Sequence, residues 1–151
     1  MKKRIKVIGT IIGIVLMVFI LGSSGFIGLQ VFAGSTQLVT NEETKGMTDG
    51  LWKKYGMDYE DFCNKYGVEE LGIPSSFDEH TIPADYIYSR DSQGSKNHPT
   101  VILVHGLGDN RYSNYPLAEY FLEEGYNVIT YDQRSTNENT AKYTTFGYWE
   151  K

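Results

Sequence analysis

The chain has 151 residues, 40% of them hydrophobic and 22% charged, which is an ordinary globular composition and enough for about one domain. All 19 acidic residues lie beyond Ala33 with 10 of the 14 basic ones, so that part carries nine net negative charges and lacks the basic face a nucleic-acid binder needs. Cys63 is the single cysteine, which excludes an intrachain disulfide and leaves stability to the core.

The N-terminus stands apart from that domain. "MKKRIK" supplies Lys2, Lys3, Arg4 and Lys6, and residues 7–33 then contain no charge. A helix needs roughly 20 apolar residues to cross a bilayer, so the run is long enough to span. The basic cluster is expected to stay in the cytoplasm and residues from 34 onward to lie outside, with lipid as the partner of residues 7–33. A cleaved signal peptide is the competing reading, with Val31 and Ala33 at suitable spacing before a cut. The run exceeds the usual signal core of about 7–15 residues, which favours a retained anchor. Gly25 and Gly28 are too close for the Gly-x-x-x-Gly pairing pattern and read as a loosened helix end.

The chain therefore divides into a basic tip and anchor over residues 1–33, a linker with short helices over 34–67, and an α/β domain over 68–151. "GSTQLVTNEETKGMTDG" has a linker's composition. "LWKKYGMDYEDFCNKYG" holds two short helical patterns closed by Gly56 and Gly67. Asp58 is placed to cap the second, and Tyr59, Phe62 and Tyr66 are spaced to pack on the domain. Acidic neighbours should raise the Cys63 thiol pKa and leave it inert.

From Val68 the pattern changes to strands. "VEELGIPSS" and "TIPADYIYSRD" read as two strands joined by a tight turn at "FDEH", with Pro74 and Pro83 at strand starts or an edge. "TVILVH" is apolar at consecutive positions, as expected of a strand covered on both faces. Ser113 or Asn114 should start a helix with Leu117, Tyr120 and Phe121 on its apolar face, stopped by Gly125. "YNVITYD" is the next buried strand, completing a strand–helix–strand crossover.

The chemistry concentrates where the strand "VILV" runs into "HGLGD". Ligands of open parallel sheets sit at the carboxyl ends of the strands. Glycines there let the backbone turn tightly and leave N–H groups free for an anion. A dinucleotide fingerprint would need a third glycine where Arg111 stands, and a P-loop would need Gly-Lys-Ser/Thr, so a nucleotide is not called for; no cofactor and no metal are expected. An oxyanion hole remains.

"TVILVHGLGDNRYSNYPLAEYFLEEGYNVITYDQRSTNEN" resembles the first half of an α/β-hydrolase, and "FDEHTIPADYIYS" is similar to the opening strand pair of that family's exported, membrane-anchored bacterial members of esterase or peptidase type. The resemblance implies an α/β fold, here the N-terminal half of the hydrolase sheet. It implies that Leu107 donates a backbone N–H to the oxyanion, that His105, Gly106 and Gly108 shape the loop, and that Asp132 and Arg134 brace the neighbouring strand end. His105 is expected to be structural rather than a base, since the family's catalytic His comes last in chain order. His80 and His98 read as exposed loop residues.

The sequence contains no Gly-x-Ser-x-Gly elbow, the feature that places the family's nucleophile. The expected function is thus the N-terminal portion of a membrane-anchored Ser-His-Asp hydrolase, with a small ester or peptide as substrate only when the C-terminal half is present. The alternative is a non-catalytic surface-displayed binding module or an inactive gene fragment. The expected topology is checked by applying protease to intact cells. Removal of the Tyr-rich domain is predicted, and its complete protection would overturn the orientation.

Overall fold

A computed structural model of the chain describes residues 2–36 and 41–149. It divides the chain into two units, residues 1–37 and 38–151.

The first unit is helix α1, Lys2–Thr36. Its 35 residues extend about 50 Å, more than the roughly 30 Å of a bilayer's hydrocarbon. The helix is long and apolar enough to cross a membrane. It does not loosen at Gly25 or Gly28, as the sequence suggests, but continues to Thr36. The interrupting serine is tolerated because the Ser23 hydroxyl donates to the Phe19 carbonyl at 2.8 Å, hiding its polarity within the helix.

The second unit opens with α2, Asn41–Tyr55. Residues 41–50 are therefore helical rather than linker, while residues 37–40 lie outside the described residues. Composition conceals the reason. Thr44, Thr48 and Trp52 recur every fourth residue and form one face, on which Thr44 and Thr48 are buried. The Thr48 hydroxyl donates back to the Thr44 carbonyl at 3.0 Å, so its polarity does not oppose burial. Gly56, at φ +65°, ends the helix, and the Met57 N–H returns to the Trp52 carbonyl at 2.9 Å. Asp58 then caps α3, Tyr59–Lys65, accepting from the N–H groups of Glu60 and Asp61 as its spacing predicts.

Strands β1, Gly67–Pro74, and β2, Thr81–Tyr88, form the expected antiparallel pair, with Gly67 opposite Tyr88 and Pro74 opposite Thr81. Pro74 ends an edge strand rather than starting one. Strand β3, Thr100–Val104, helix α4, Tyr115–Glu123, and strand β4, Asn127–Tyr131, complete the unit. β3 and β4 are parallel, β2 and β4 antiparallel, and the sheet order among the described residues is β1-β2-β4-β3. This is a mixed α/β sheet of four strands among the described residues, preceded in the sequence by a long apolar helix and two short ones.

The core lies where α3 and α4 meet one face of the sheet. Phe62 and Tyr66 pack with Tyr115, Ala118, Leu122, Ile87, Leu103 and Val128. The expected α4 face is displaced, since Leu117 and Tyr120 are exposed and Tyr115, Ala118 and Leu122 are buried. A 3-10 turn over Arg111–Asn114 delays the helix to Tyr115 and shifts its phase.

β3 also departs from expectation. Leu103 is buried, but Ile102 and Val104 are 62% and 55% exposed, because the helices cover only one face of this edge strand among the described residues. An uncharged edge with free backbone groups and apolar side chains is a template for association. We expect concentration-dependent self-association of the chain in sedimentation, reduced by Ile102→Lys. Equal association of the variant would show that another surface is responsible.

Candidate active site

β3 ends at Val104 and the chain enters the turn His105, Gly106, Leu107, Gly108. Gly108 has φ +76°, a conformation that a side chain opposes, and the Asp109 N–H closes the turn on the Gly106 carbonyl at 3.2 Å. Leu107 stands 68% exposed at its apex. Among the described residues no acceptor claims its N–H.

His105 is buried beneath this turn. Its Nε2 lies 3.0 Å from the Gln133 N–H and must accept, which leaves the proton on Nδ1, 2.7 Å from the Gly106 carbonyl. Both ring nitrogens are thus committed to backbone groups, and the side chain ties the β3 turn to the end of β4. The Gln133 side-chain amide adds a close bond to the His105 carbonyl. Thr136 Oγ1 lies 3.4 Å from His105 Nε2 but donates to the Gln133 carbonyl at 2.7 Å. Neither contact makes His105 a base.

Asp132 is fully buried just past β4. It accepts from the Arg111 N–H at 2.9 Å, from the Asn137 amide at 2.8 Å and closely from the Arg111 guanidinium. Arg134 turns the other way, pairing with Asp78 at 2.9 Å, donating to the Tyr143 carbonyl and facing the Trp149 ring. The chain bends at once after it, with Ser135 in the left-handed region at φ +59°.

Arg111 is the residue that sequence reasoning missed. Its Nε lies 2.9 Å from Asp85 on β2, and its two terminal nitrogens reach Asp132, Glu138 and the Tyr112 hydroxyl. Burial alone would lower its pKa, but the Asp85 and Asp132 carboxylates raise it and hold the guanidinium charged. Burial pushes the Asp85 carboxyl up against the opposing pull of Arg111 and Tyr115. One available signal was the place of Asp85 inside the strand "TIPADYIY", where residues 84–87 are buried in succession and a carboxylate demands a partner.

His80 is not the exposed loop residue expected, and His98 is half-buried. The His80 side chain is 9% exposed and its Nδ1 closely contacts Asp78, which also accepts from the Ser75 hydroxyl at 2.9 Å. Burial would raise the Asp78 carboxyl, but bonds from Ser75, Arg134 and His80 outweigh it and leave it below the usual carboxylate range. Here the acid stands between Ser75 and His80, the wrong order for activating a hydroxyl. Burial, more than the acidic neighbours, raises the Cys63 thiol.

Removing Arg111 leaves two buried carboxylates without their counter-ion. Such losses cost about 3–5 kcal/mol, so Arg111→Met is expected to lower unfolding stability by that amount in urea titration. A loss near zero would contradict the charged network.

Residues 99–149 match the α/β hydrolase fold family. The uncharacterised protein YqkD of Bacillus subtilis is 32% identical over 73 residues, which cover 46% of this chain and 24% of YqkD. The chain thus matches about a quarter of the length of that curated relative. A solved esterase of Pyrococcus furiosus is similar at 29% identity and a TM-score of 0.48, covering 62% of this chain and 32% of the esterase.

Proposed function

We propose, from the match of residues 99–149 to the α/β hydrolase fold family, that this chain supplies the oxyanion side of a membrane-anchored serine hydrolase. The observation that carries the reading is the Leu107 N–H, unclaimed among the described residues on an exposed turn whose neighbours are fixed. His105 and Gln133 hold the turn to β4, and Arg111 holds the following residues to β2 and β4. Such a donor acts by being in place before charge develops.

In the whole protein a serine Oγ would attack an ester or peptide carbonyl and lose its proton to a histidine. The carbonyl oxygen would take up negative charge facing Leu107. Collapse of the intermediate would expel the leaving group, protonated by the same histidine, and water would release the acyl group by the reverse sequence. Two of the histidines are not set for the base's part: His105 is committed to backbone groups and His80 to Asp78. Helix α1 is proposed as the anchor, with its basic end cytoplasmic.

The 151-residue chain alone is expected to show no labelling by a fluorophosphonate. Joined to a C-terminal half carrying Gly-x-Ser-x-Gly, an acid and a late His, it is expected to label. In that protein Leu107→Pro should lower kcat by about 10²–10³ with KM little changed. Stoichiometric labelling of the short chain would overturn the proposal.

A further inference from the structure

A cleft of about 460 Å³ lies between α2, the start of α3, the turn after β3 and the loop after β4. That volume falls in the range of small-molecule sites. Its position at the carboxyl ends of two parallel strands is where α/β sheets hold ligands. Trp52, Tyr59 and Tyr112 form its walls, with Asn110, Asn137 and Glu138 between them.

The polar groups around it are largely spent on one another. The Asn110 amide donates to Thr48 Oγ1 at 2.9 Å and its carbonyl oxygen accepts from the Tyr112 N–H at 3.0 Å. The Thr48 hydroxyl is committed to the Thr44 carbonyl. Trp52 Nε1 donates to the Tyr112 carbonyl at 2.9 Å, and the Asn137 amide is held by Asp132. The half-exposed Glu138 carboxylate pairs with Arg111, which also serves Asp85 and Asp132 and whose guanidinium lies 4.4 Å from the centre of the Tyr112 ring. Burial and a bond with Cys63 push the Tyr59 phenol up to about 12, and burial raises Tyr112 as well, so both rings stay uncharged. At the rim Lys45 and Asp49 carry opposite charges one helical turn apart. What remains is a wall of aromatic surface whose charged neighbours are already paired with Arg111 or stand at the solvent-exposed rim.

The aromatic walls also resist collapse into the space. Trp52 and Tyr59 are parallel to within 6° at 5.4 Å, and Tyr112 stands edge-on to both. The Trp52 indole is further fixed by its bond to the Tyr112 carbonyl. The cleft is consequently preformed rather than dependent on a ligand to open it.

We infer that this cleft is a binding subsite for an uncharged aryl group, or an apolar group of like size, and that α2 contributes one of its walls. A charged group entering it would lose hydration beside aromatic walls, where the charges lining the cleft are already paired with Arg111 or solvated at the rim. As the pocket for one side group of a hydrolase substrate, the subsite rests on the function proposed above. As a binding site it stands in this chain alone, where no chemistry is required.

The test uses the full chain in phosphatidylcholine vesicles with Trp149→Phe, which leaves Trp52 as the sole tryptophan. Phenyl acetate, benzoate and benzylammonium are titrated against Trp52 emission. Phenyl acetate is expected to give a saturable change, with both charged probes at least about tenfold weaker. Tyr59→Ala should weaken phenyl acetate by a similar factor, while Tyr59→Phe should bind like the parent because only the ring is used. A thermal melt shows whether Tyr59→Ala is folded, and the charge preference is read in the parent whatever that result. Absence of a saturable change, or equal binding of the charged probes, would overturn the subsite. Either outcome leaves the fluorophosphonate result untouched, so the subsite and the hydrolase reading fail separately.

Discussion

The buried guanidinium of Arg111 is the constraint on which the arrangement of the sheet's carboxyl edge depends. It binds Asp85 from the middle of β2 and Asp132 from the end of β4, while its own backbone N–H is held by Asp132. The Tyr115 hydroxyl at the start of α4 reaches the same Asp85 oxygen at 2.9 Å. Two strands, a turn and a helix therefore converge on one charge. Desolvating these ions costs several kcal/mol each, so the network is a poor source of net stability. Its effect is to specify geometry. A displaced turn would leave a carboxylate unpaired inside the protein, and that alternative is expensive.

The consequence reaches the turn that carries Leu107. The turn is bounded on one side by His105, locked to Gln133, and on the other by Asn110 and Arg111, locked to Thr48 and Asp132. Between those fixed points the Leu107 N–H has no acceptor among the described residues, and Gly108 supplies the conformation that brings the chain round. An N–H held this way costs little reorganisation when charge appears beside it, the physical requirement of an oxyanion donor. The segment following the long apolar helix participates through Thr48 and Trp52, which bind Asn110 and Tyr112 respectively.

Much of this was legible in the sequence, for reasons that differ by element. The runs "VILV" and "NVITY" announce strands by apolar continuity, though only the second is largely buried, and Asp58 announces a cap by its type and place, because both signals are local. His105 was legible as structural only through chain order, whereas its bonds to Gln133 and Gly106 required the β3 and β4 ends to be adjacent. Arg111 was invisible because its partners lie 26 and 21 residues away, one on β2 and one just past β4. The α4 face was misread because a 3-10 turn shifts the helical phase, and α2 because glycine and threonine suggest a linker until Thr44, Thr48 and Trp52 are seen to share one face. His80 was misread because a polar turn sequence does not reveal that Asp78 will be shared with Arg134.

A double-mutant cycle between Arg111→Met and Asp132→Asn tests this account most directly, since it isolates the coupling between the turn and the end of β4. Residues that share a buried network show interaction energies of about 0.5–3 kcal/mol, against additivity within about 0.5 kcal/mol for independent sites. The account predicts a coupling of at least about 1.5 kcal/mol in urea unfolding, accompanied in each single variant by faster hydrogen exchange over residues 105–112. Additive losses, with exchange of that turn unchanged, would contradict it.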